Sequence, residues 1–318
     1  MTTKKYNVMR RLLFFIQLLC VSAYMMAQEC DLPLSVAFST ESEALPVSTQ
    51  RALANKLKQI LTQNGVSGIL EYEQFALVPK FEFLDKHIVA GPPVKHVYNL
   101  SVILEIRDTQ ESTLFSTYST EVNGVGENET KAYMSAIRQI GPQSRQIKDF
   151  ISRGRAKITS YYDKNFQRII QKARLLSKMN KNEEALYHLM SIPECCSGYA
   201  AAMEEALSIF QTHIDREGEK LLMKARAIWA AGNNDKAAAD AAYLLTQIDP
   251  SSKAYPQASK LLEEIKQKSS KNAPWNFKMQ VYKDAVSLEG QRIEAAKAVG
   301  VAFGKGQPKE KNNFMFVR

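Results

Sequence analysis

The sequence predicts an α+β protein: a small α/β sheet domain followed by an all-α helical array. Three observations carry this expectation. Residues 32–122 hold short runs rich in β-branched and aromatic residues, parted by turn signals. After about residue 142, apolar residues recur every three or four positions and no convincing strand remains. A segment near residue 172 also returns 52 positions later.

The first part can be followed element by element. Leu32–Ser39 is an apolar run of strand length. Ser48–Asn64 puts Leu53, Leu57, Ile60 and Leu61 on one helical face, and Gly65 is placed to end it. Gly68–Tyr72 reads as a short strand. Phe75–Val89 reads as a longer one, with Phe81 and Phe83 alternating with Lys80 and Glu82. Gly91-Pro92-Pro93 is a turn signal, and Val94–Arg107 returns as a strand. A polar turn at Asp108–Glu111 leads to the strand Ser112–Val122. Gly124-Val125-Gly126 is expected to break that strand, as a turn of positive φ. Glu129–Ile140 forms a helix through Ala132, Met134, Ala136 and Ile137. The order β-α-β-β-β-α suits a sheet with helices packed on it.

The second part opens with a long helix, Ser144–Tyr162, and the repeat follows. Lys172-Ala173-Arg174 recurs as Lys224-Ala225-Arg226, and Leu176, Asn182, Glu183 and Ala185 match Ile228, Asn234, Asp235 and Ala237. In each copy a helix ends at a polar turn (180–182; 232–234), and a second helix stops near Pro193 or Pro250. A third follows at Gly198–Ile214 or Tyr255–Gln267. Small alanines near the turn let antiparallel helices approach. Pro274 and Trp275 open an amphipathic helix to about Val299, for which three fates are open: packing on the protein's own body, docking on a partner, or lying on a membrane. The domains are thus 28–142, 143–268 and a C-terminal segment, 269–318.

Residues 1–27 have the three parts of a secretory signal: Lys4, Lys5, Arg10 and Arg11, then an apolar run from Leu12 to about Tyr24, then Ala27 before Gln28. The apolar run of about 15 residues is short of the roughly 20 that span a bilayer. Removing this leader lowers the formal charge from +9 to +5, and residues 266–318 alone carry a surplus of 7. The body is therefore near neutral, which argues against a nucleic-acid surface. The basic tail suits an acidic partner or an anionic membrane surface. Cys30, Cys195 and Cys196 remain after cleavage, an odd number in a compartment that permits disulfides.

No catalytic or metal pattern emerges. His87, His96, His188 and His213 are scattered, and no HExxH, P-loop or GxSxG motif occurs. No cofactor is expected. The residues most suited to partner binding are Arg174 and Arg226, equivalent in the two copies, with Tyr187, Trp229 and Tyr243 nearby, and Trp275 and Phe277 in the C-terminal segment.

Two resemblances accompany this reading. LLSKMNKNEEAL and IWAAGNNDKAAAD resemble tetratricopeptide repeats, with a polar turn and an alanine shortly after it; the likeness covers about 165–268. The period of 52 is longer than that family's usual repeat. SVAFST, NLSVILEIRDTQESTLFS and EVNGVGENETKAYMSAIRQI resemble the α/β domain shared by the curli secretion channel and outer-membrane activators of penicillin-binding proteins. Gly124, Gly126, Ala132 and Ala136 occupy the matching places, over about 32–141. The chain lacks the channel's lipid-anchoring cysteine. This resemblance implies an outer-membrane neighbourhood. The expectation is an exported, non-enzymatic scaffold or accessory protein, periplasmic or outer-membrane associated, that binds protein partners in the cell envelope and can oligomerise. A secretion-channel subunit and an envelope enzyme are the alternatives.

Overall fold

The computed structural model describes residues 32–39, 45–66, 74–109, 111, 113–232, 234–269, 285–306 and 314–316. The leader, Cys30, the short strand read at Gly68–Tyr72, and Trp275 and Phe277 lie outside the described residues. The protein is mixed α/β, with a sheet near its N-terminal side followed mostly by helices.

Strands β1 (Ser35–Ser39), β2 (Phe75–Val89), β3 (Lys95–Asp108) and β4 (Leu114–Gly126) form a sheet with β5 (Phe314–Phe316), in the order β4-β3-β2-β1-β5. Only β1 and β2 run parallel; helix α1 (Val47–Gln63) connects them. Alternation sends Tyr98, Leu100, Val102, Leu104 and Ile106 to one face, where they are buried with Leu53, Leu57 and Ile60 of α1. Gly65 ends α1 at φ +68°, a conformation open to glycine at little cost.

Helix α2 (Glu129–Arg138) covers the far end of the same face. Asn128 caps it, accepting from the Lys131 N–H at 2.9 Å, and Glu129 favours the positive end of the helix. Here the expectation for Gly124-Val125-Gly126 fails. The three residues do not break β4; they extend it, with Gly124 opposite Tyr98 and Gly126 opposite His96. Neither glycine has positive φ. A Cβ at Gly124 would lie 2.2 Å from the Ala132 carbonyl oxygen, and one at Gly126 would lie 2.4 Å from the Ala132 nitrogen. The glycines are there so that a helix can lie directly on a strand.

Helix α3 (Arg145–Lys178) is one unbroken helix of 34 residues. Its first half packs on the sheet through Ile147, Phe150, Ile151 and Ile158, with Gly154 against Ile106. Its second half is the first helix of the repeat, burying Ile170, Ala173 and Leu176. The division near residue 142 therefore precedes a helix that belongs to both parts. Helices α4 (Asn182–Met190), α5 (Tyr199–Gly232), α6 (Asp235–Thr246) and α7 (Tyr255–Lys268) follow. The third helix of the first copy and the first helix of the second are a single helix, α5, again of 34 residues. Two three-helix units are thus joined end to end by uninterrupted backbone.

The units repeat their bracing as well as their helices. Asp163 accepts from the Ser197 N–H at 2.7 Å, and Asp215 from the Lys253 N–H at 2.9 Å. The carboxylates are 52 positions apart but the amides 56, because α6 (12 residues) is about a turn longer than α4 (9 residues). One contact is conserved with its sizes exchanged. Phe166 presses on Gly198 in the first unit, whereas Gly218 faces Ser252 and Ala254 in the second.

The sheet and the first unit share one core, while the second unit has its own, built from Leu222, Ala238, Ala241, Leu245, Leu262 and Ile265 among others. Helix α8 (Ala285–Gly306) leaves the second unit and packs on α4 and α5 of the first. Of the three fates open to the C-terminal helix, packing on the protein's own body is the one observed for these residues. Beyond α8, strand β5 pairs antiparallel with β1, Ala37 opposite Phe316 and Ser39 opposite Phe314. The segment expected to be a basic tail is tied back at both of its described parts.

Candidate functional site

The two units meet at a cleft of about 360 Å³. Its floor is the turn from α3 to α4. Asn180 adopts φ +64°, a left-handed conformation that asparagine tolerates better than most residues. That turn brings Lys181 and the first residues of α4, Asn182, Glu183 and Glu184, against His213, Arg216, Glu217 and Lys220 of α5, and Phe303 of α8 closes one side. Arg216 donates from Nη1 to the Asn180 carbonyl at 3.2 Å, which ties α5 to the turn. Lys181 pairs with Glu184 at 3.3 Å and Lys220 with Glu217 at 2.5 Å. Charges of both signs around an aromatic edge suit the side chains of a polypeptide better than a small ion. Large apolar side chains lie exposed beside this junction: Leu175 on α3, Met179 just past its end and Met223 on α5. Unbranched methionine side chains are flexible and polarisable, so such a surface can adapt its shape to what packs on it.

Tyr187 of α4 is half-buried beneath α8. A Cβ on Gly304 would meet its ring at 2.5 Å, and one on Gly300 would meet its backbone nitrogen at 3.0 Å. Phe303 packs on the same ring with centroids 5.8 Å apart. Burial pushes the Tyr187 phenol well above its ordinary range. Ala296, Gly300 and Gly304 form a stripe of small residues one turn apart, which lets α8 approach α4 closely. Arg292 of α8 donates to Gln211, and Lys297 reaches Glu194 at 3.4 Å.

The other sequence-predicted residues are dispersed. Arg174 is exposed and grips Glu205 with Nε at 2.8 Å and Nη2 at 2.6 Å. Arg226 donates from Nη2 to Gln257 at 2.8 Å, so both arginines brace the first helix of a unit to its third. Trp229 is half-buried against the second core, and Tyr243 is exposed on α6. These side chains occupy two units and do not converge.

Sequence reasoning missed two polar groupings. Gln74 Nε2 and the Tyr162 hydroxyl both donate to Asp108 Oδ2, at 3.2 and 3.1 Å, in a buried cluster that joins β3 to α3. Its members are 34 and 54 positions from Asp108, beyond the reach of any local pattern. At the hairpin, Lys86 and Tyr98 each bond Glu129 Oε1 at 2.8 Å. The Lys86 ammonium, with the Tyr98 hydroxyl second, holds the Glu129 carboxyl below the usual carboxylate range. Among the described residues no group of three or more His, Cys, Asp and Glu side chains lies within reach of one metal ion. Cys196 is buried and free, whereas Cys195 is disulfide-bonded.

No known protein family, no curated protein and no solved structure matches this chain.

Proposed function

We propose that this chain is an exported scaffold or accessory protein of the cell envelope, non-enzymatic, whose helical units hold protein partners in the manner of a tetratricopeptide-like array. The observation that carries this reading is the seating of α8. The first unit already accommodates an extra helix on α4 and α5, using small residues against Tyr187 and polar anchors at Arg292 and Lys297. The second unit has the same build, with Tyr243 exposed on the helix equivalent to α4 and Trp229 half-exposed at its side. A partner's amphipathic helix is the ligand that such a surface takes. The cleft between the units and the exposed Leu175, Met179 and Met223 extend the available surface.

The test is capture of cross-linked partners from envelope fractions with the intact protein and with Tyr243→Glu and Met223→Glu variants. The expected result is a defined partner retained by the parent and lost from at least one variant. Equal capture by all three proteins would remove the helical units as the binding half.

A further inference from the structure

The β2–β3 hairpin ends in a surface that neither core uses. From Glu82 to Lys95 every residue is exposed. Ile88 keeps 60% of its surface and Val94 47%. The tip, Ile88 to Val94, contains no charged residue, and the stretch from Lys86 to Asn99 contains no acid. Lys86 and His87 precede the tip, and Lys95 and His96 follow it. Lys86 is engaged by Glu129 and His87 by Asp85, while Lys95 has no ion pair among the described residues. The tip also lies past its neighbours. Strand β4 ends at Gly126, opposite His96, and α2 docks at Gly124 and Gly126.

We propose that this hairpin tip inserts shallowly into a lipid bilayer with anionic headgroups, leaving Lys95 at the level of the phosphates. The backbone suits an apolar medium. The ladder stays paired to its last rung, Val89 with Lys95, so few strand groups are left open. Pro92 and Pro93 carry no N–H, which removes two donors from the turn that enters first. The side chains favour lipid over a protein pocket. They are aliphatic, without the Trp, Tyr or Arg anchors that dominate protein hot spots. Seven residues fall short of the roughly 9–11 of a spanning strand, so the tip anchors and does not cross. Cations flanking an apolar insertion are drawn to an anionic surface.

Flotation of the protein with vesicles tests this. One set is phosphatidylethanolamine with one quarter phosphatidylglycerol, and the other is phosphatidylcholine alone. The protein is expected to float with the anionic vesicles. Ile88→Asp combined with Val94→Asp should cut the bound fraction roughly tenfold or more. Lys95→Glu should weaken binding several-fold on the anionic set only. Val47→Asp, at the exposed start of α1, should change nothing. Because the substituted positions are exposed, thermal melts of all variants should match the parent. Absence of flotation by the parent would overturn the proposal, as would equal flotation by the double variant. Loss of self-association or partner capture in the double variant, without vesicle binding by the parent, would also overturn it and assign the tip to a protein contact.

Discussion

A single missing β-carbon decides how α2 meets the sheet. At Gly124 any side chain collides with the Ala132 backbone, which cannot move without moving the helix. Gly124→Val is therefore expected to destabilise the protein by about 2–4 kcal/mol, read as a lowered urea midpoint. Cys196 belongs to the same scale. Burial pushes its thiol up to about 12, so hardly any thiolate exists at neutral or mildly alkaline pH. It should resist a thiol reagent at pH 8 in the native protein and react once denaturant is added. His188 gives a pH prediction. Burial, with the Lys172 ammonium second, lowers its pKa from 6.5 to about 4, against a smaller opposing pull from Glu184. The unfolded chain then binds a proton that the folded one refuses between those values. Stability from this group is complete above about pH 6.5 and falls as the pH drops toward 4. Urea midpoints measured across that window should fall in the parent, and less steeply in His188→Gln.

At the scale of elements, the seat of α8 depends on backbone approach. Gly300→Leu would drive a side chain into the backbone of Leu186 and Tyr187. The expected outcome is loss of amide-exchange protection along α8 while α4 and the sheet keep theirs. Most individual elements were legible in the sequence because they follow local rules. Phe75–Val89 alternates and is β2; Leu53, Leu57 and Ile60 recur at helical spacing and are the buried face of α1. The repeat was legible too, since Arg174 and Arg226 do perform matching tasks. Joints between elements were less so. Nothing local distinguishes a glycine that turns the chain from one that admits a helix, so Gly124 and Gly126 were misread. Helix α5 continues through Ile214 because no proline or glycine turn interrupts it, yet the repeat suggested a boundary there. Spacing along the chain marks Tyr187 as a candidate partner residue but carries no sign that α8 covers it.

At the scale of the molecule, two separate cores imply two separate stabilities. The second is small and rich in alanine, so it buries less apolar surface per residue. Urea unfolding followed by amide exchange should resolve two transitions, with α6 and α7 opening first. Leu262→Ala should lower the first transition alone and Leu104→Ala the second, each by about 2–5 kcal/mol. Coincident loss of protection in both regions would show instead that α5 makes the units cooperative. The sharing of α3 between the sheet and the first unit also bears on truncation. Cutting at residue 142 would strip the sheet of Phe150 and Ile158, so the sheet domain is not expected to fold when excised there.

The pairing of β1 with β5 sets an order of events in time. Strand β1 leaves the ribosome early, and the residues that pair with its edge follow about 275 positions later, so closure comes at a high loop-entropy cost. Until then that edge is an open template for any extended segment that passes. During synthesis, the chain therefore carries an unpaired seam that its own distant C-terminal strand closes.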